Sequence, residues 1–75
     1  MKELVEVIAR ALVSNPDQVV VTEEASEEET VLTLTVAPAD VGKVIGKQGR
    51  IAKAIRSVLK AAASREEKKV TLDIQ

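Results

Sequence analysis

Leu4, Val5, Ile8, Ala11 and Leu12 recur at three- and four-residue spacing with Glu3, Glu6 and Arg10 between them, which predicts an amphipathic helix over residues 2–13. Ser14-Asn15-Pro16-Asp17 ends it, because a residue before proline is pushed out of the helical region. Val19, Val20, Val21 and Thr22 form a β-branched run, so residues 18–23 read as a strand, and the charged stretch 23–29 reads as a hairpin loop. Residues 30–36 alternate, with Leu32, Leu34 and Val36 on one face and Val31, Thr33 and Thr35 on the other. Pro38-Ala39-Asp40 opens a short helix whose apolar side is Val41, Val44 and Ile45, with Asp40 favourable near the positive end of the helix dipole. Gly46 stops that helix. Over residues 50–63, Ile51, Ile55, Val58, Leu59 and Ala62 return at helical spacing, with Arg50, Lys53, Arg56 and Lys60 on an adjoining face. A polar connection at 64–69 leads to a closing strand at 70–74, where Val70, Leu72 and Ile74 alternate with Thr71 and Asp73.

The predicted order is α-β-β-α-α-β, an α+β arrangement in which a three-stranded sheet is covered on one face by three helices. Seventy-five residues fit a single domain over 1–75, since a core of this size cannot be divided further. No repeat, low-complexity tail or linker interrupts it.

Composition narrows the chemistry. With no Phe, Tyr or Trp, the core must be built from Val, Ile, Leu and Ala, and no base can stack on an aromatic ring. With no Cys and no His, disulfides, zinc-finger spacings, thiol nucleophiles and the usual general base near neutral pH all drop out. Asp17, Asp40 and Asp73 stand alone in turn, cap or strand positions, without the paired partner that acid–base work needs. An enzyme is not expected, nor a cofactor or a metal. The charged amino-terminal pattern is not that of a signal or transit peptide, and no apolar run approaches a membrane span, so a cytoplasmic location is expected.

The net charge of −1 conceals an asymmetry: residues 1–40 hold two basic and nine acidic groups, residues 41–75 nine basic and three acidic. From Val41 to Arg65 seven basic residues occur without one acidic residue. That segment suits an anionic partner.

Within it lies Val41-Gly42-Lys43-Val44-Ile45-Gly46-Lys47-Gln48-Gly49-Arg50, a glycine-flanked turn between two helices. Glycines admit close backbone approach, and the first amides of the second helix lack intrahelical partners; with the dipole and nearby cations they suit phosphate. A bare Gly-x-x-Gly is more often a simple turn, but Val-Ile-Gly-x-x-Gly-Arg between two helices of an αββααβ chain resembles the KH family, over essentially the whole chain. The element order is similar to its type II, prokaryotic form, and the closest likeness is to small, free-standing KH proteins of bacteria. The resemblance implies a loop that clamps the backbone of single-stranded RNA, with DNA also accepted. It further implies an RNA-chaperone role, self-association or pairing with a KhpB/Jag-type KH protein, and links to cell-wall and cell-shape control. Carried over by position, Gly46, Lys47, Gln48 and Gly49 would touch phosphate. Lys43, Arg50 and Lys53 would add charge, and Val44, Ile45, Ala52 and Ile55 would supply the groove wall or the core beneath it. The strand 70–74 and the loop 64–69 would border the other side.

For Arg56, Lys60 and Arg65 a merely solvated helix face stays an open alternative, whereas the acids of 23–29 read as a solubilising loop, the alternative being that they repel RNA from the far side of the domain and so orient binding. Ile51, Val58 and Leu59 read as core. A nucleotide-binding enzyme loop would need Gly-x4-Gly-Lys-[Ser/Thr], whereas Val41 stands at the first position and Gln48 at the last. The other reading is a dimerisation or partner-binding module, with Ala52, Ala54, Ala61, Ala62 and Ala63 as the helix face that packs on a second copy.

Overall fold

A computed structural model, which describes residues 1–64 and 69–75, places the first helix, α1, at Lys2–Leu12. It buries Val5 and Ala9 on the sheet and leaves Val7 exposed to water. Strands β1 (Val20–Ala25), β2 (Glu29–Thr35) and β3 (Lys69–Ile74) form one sheet in the order β1-β2-β3. β1 and β2 are an antiparallel hairpin, whereas β2 and β3 run parallel. A parallel pair needs a long crossover, and helices α2 (Val41–Ile45) and α3 (Arg50–Ala63) supply it.

Register explains the core. Val21 pairs with Leu34 and Leu32 with Leu72, so these side chains share one face, where they meet Val5, Val44, Ile55 and Leu59. Thr22, Thr33 and Asp73 are successive partners on the other face, which water reaches. The sheet is thus covered on one side, as its alternation predicts.

Several boundaries differ from the expected ones. Pro16–Gln18 closes a 3₁₀ turn, with Val19 N–H donating to Pro16 O at 3.2 Å, so β1 begins at Val20 and runs to Ala25 rather than over 18–23. The hairpin loop shrinks to 26–28, because Glu23, Glu24 and Ala25 pair with Leu32, Val31 and Thr30. Val58 is 46% exposed, not core; Ala63, one residue past the expected Ala62, is buried instead.

Asp40 precedes α2 but makes no capping hydrogen bond to it. Its buried carboxylate accepts from the N–H of Ser14 at 3.2 Å, and from the N–H and side-chain amide of Asn15 at 3.0 Å each. Burial works to raise its pKa but is outweighed by these hydrogen bonds and that from Lys43, so the carboxyl titrates below its usual value. Asp40 thereby ties the exit of α1 to the helix that leads into the glycine turn. Among the described residues no helix is long and apolar enough to cross a membrane.

Candidate nucleic-acid interface

Helix α2 ends where Gly46 adopts φ 74°, ψ 173°, its N–H still donating to Gly42 O at 2.9 Å. A Cβ at Gly46 would fall 2.6 Å from Ile51 Cγ1, so the glycine is required by space as well as by dihedral angle. Lys47–Gly49 makes a 3₁₀ turn closed by Gly49 N–H donating to Gly46 O at 3.1 Å. Gln48 (φ 58°) and Gly49 (φ 74°) are both left-handed, and the turn carries Lys47 and Gln48 outward into solvent.

Gly49 then caps α3 without any side-chain hydrogen bond, and no acidic residue lies in the first turn. The Arg50 N–H itself donates to Lys47 O, so what the head of α3 offers is the positive end of the helix dipole beside the exposed Lys47 and Arg50. A helix dipole and cations at one point suit a phosphodiester oxygen.

The other expected site residues divide. Lys53 is exposed on α3, one turn from Arg50. Lys43 turns toward α1: its ammonium hydrogen-bonds Ser14 Oγ and lies 3.4 Å from Asp40 Oδ1. Val44 and Ile55 are buried in the core and Ile45 is half-buried, so the two former support the loop from beneath. Ala52 and Ala63 point into the same core, which splits the expected alanine face and leaves Ala54, Ala61 and Ala62 exposed.

Beyond Lys53 the structure adds a groove between α3 and β3, about 570 Å³, lined by Arg56, Lys60, Ala63, Ser64 and the strand from Lys69 to Leu72. Arg56 crosses it, its Nη2 donating to Leu72 O at 3.2 Å. Spacing shows that Lys53, Arg56 and Lys60 share a helix face; it does not show which strand faces them. Arg65 and most of the 64–69 connection lie outside the described residues. A second, shallow apolar depression of about 340 Å³ lies between α1 and α3, with Ile8, Leu12, Arg50, Ala54 and Val58 in its lining.

Comparison with known proteins bears on this geometry. The family model described as "KhpA/KhpB, KH domain" matches residues 2–74. The chain is 62% identical over 74 residues to the RNA-binding protein KhpA of Clostridium perfringens, covering 99% of each chain. It is 60% identical to that of Clostridium acetobutylicum, again over 99% of each, and 50% identical to that of Aquifex aeolicus, over 99% of this chain and 94% of the relative. No solved structure gives a significant match.

Proposed function

Because the chain belongs to the KhpA/KhpB KH-domain family, we propose that it binds single-stranded RNA, with Gly46, Lys47, Gln48 and Gly49 against the phosphates and the strand laid along α3. The observation that carries this is the outward Lys47-Gln48 turn at the head of a long helix with no side-chain cap and no acid in its first turn. Arg50 and Lys53 extend the positive track, while Val44, Ile45 and Ile55 hold the loop on the core. With no aromatic ring available, the stacking contribution of ~1–3 kcal/mol per base is missing. Affinity is therefore weak, and DNA single strands are accepted too. In the cell this corresponds to an RNA chaperone or post-transcriptional regulator of the cytoplasm.

The test is fluorescence anisotropy of labelled single-stranded RNA with the wild type and the double variant Lys47→Asp/Gln48→Asp, at low and high salt, with circular dichroism confirming both folds. Binding by the wild type that weakens with salt, by a slope of about −0.7 per phosphate, and is lost in the variant is the expected result. A folded variant that binds as well as the wild type removes the loop from the site.

A second reading, association with another copy or a KhpB/Jag-type KH protein, is favoured by one feature: Leu12 and Val58, 37% and 46% exposed, flank an apolar depression. Under it, Val58→Asp lowers the sedimentation coefficient at micromolar protein; an unchanged value argues against this face.

A further inference from the structure

Strand β3 is an edge of the sheet, and its ladder shows which peptide groups face outward. Lys69 N–H donates to Glu28 O at 3.2 Å, Gln75 N–H donates to Leu34 O at 2.8 Å, and Gln75 O accepts from Val36 N–H at 3.4 Å. Peptide groups alternate sides along a strand, so Val70, Leu72 and Ile74 turn theirs away from β2 and toward the groove beneath α3. One of these outward carbonyls, that of Leu72, is the acceptor that Arg56 has taken.

This leaves the groove donor-rich. The guanidinium spends one N–H on Leu72 O and keeps the others. The outward N–H groups of Val70 and Leu72 add donors, and Lys60 and Lys69 belong to the same lining. The hydrogen bond also tethers Arg56 across the groove, away from the glycine turn, so its planar fork is oriented before any ligand arrives.

We infer that Arg56 is a specificity-determining residue that selects bases presenting two adjacent hydrogen-bond acceptors, N3 and O2 of cytosine or N7 and O6 of guanine. Adenine and uracil set a donor beside each acceptor on the equivalent edges and cannot take both arms of a guanidinium. The inference rests on the RNA-binding reading above, and assigns Arg56 to a base where Lys47 and Arg50 serve phosphates.

The experiment is an anisotropy panel of labelled eight-nucleotide RNAs (all-C, all-U, all-A, and alternating U and G with a 7-deazaguanine counterpart) against wild type, Arg56→Lys and Arg56→Met, each checked by circular dichroism. The wild type is expected to bind the C or the UG strand about tenfold more tightly than all-U and all-A. Preference for C alone places N3 and O2 in the site, whereas loss on 7-deaza substitution places N7 and O6. Arg56→Lys, which keeps the charge but not the fork, is expected to retain all-U binding and bring the panel within about twofold. A flat wild-type panel, or a preference that survives in folded Arg56→Lys, overturns the inference while leaving RNA binding intact. Failure of the wild type to bind any strand overturns the RNA-binding reading itself.

Discussion

Replacing Gly46 with alanine separates the two glycines of the turn by physical cause. A Cβ there would meet Ile51 Cγ1 at 2.6 Å, Cδ1 at 2.9 Å and Cβ at 3.0 Å, against the ~3.5–4.0 Å of ordinary carbon contact. Because Ile51 Cβ is one of the three, rotating that side chain does not clear the space, and helix α3 must shift. The backbone at φ 74°, ψ 173° also lies in a region almost confined to glycine, costing ~1–3 kcal/mol for another residue. Overpacking adds ~1–3 kcal/mol, so Gly46→Ala is expected to lose about 2–6 kcal/mol. Gly49, at φ 74°, ψ 15°, has nothing within 4 Å of its Cβ position, and Gly49→Ala carries only the left-handed backbone cost, ~1–2 kcal/mol. Stability at this length is ~4–11 kcal/mol, so the first variant loses a large part of it and the second does not. Urea unfolding followed by helical ellipticity measures both. Equal losses, or a smaller loss for Gly46→Ala, would refute the close approach to Ile51.

Asp40, held ionised by its hydrogen bonds, contributes stability above the unfolded carboxylate pKa of ~3.9, and that contribution disappears as pH falls through the lower folded value. Asp40→Asn should therefore lower the urea midpoint at pH 7 and show a shallower further loss than wild type below about pH 4; parallel pH profiles would contradict this. Leu32→Ala opens a void under the central strand at a fully buried site and is expected to cost ~2–5 kcal/mol. Val7→Ala, at a position 67% exposed, should stay within ~0.5 kcal/mol in the same titration.

Much of this was legible locally. The order of elements followed from periods of two and near four, which belong to each segment alone, and the residues of the glycine turn were identifiable because a left-handed turn between helices needs them. The charge asymmetry that singles out residues 41–65 is likewise a property of the chain in one dimension. The strand β1 was displaced by two residues because a 3₁₀ turn and a β-branched run compete for the same positions after Pro16.

What needed the folded chain were the facts that depend on distant partners. Val58 has the spacing of a core residue, yet the sheet beneath α3 is already filled by Ile55, Leu59 and Ala63. Asp40 looked like a cap until the exit of α1 came to rest on it. Arg56 was one cation among several on a helix face, and only the parallel pairing of β2 with β3 put the Leu72 carbonyl on a free edge beside it. Hydrophobic periodicity determined which side of each element is buried; the choice of neighbour, made by long-range strand pairing and helix crossover, decided which polar groups face the groove.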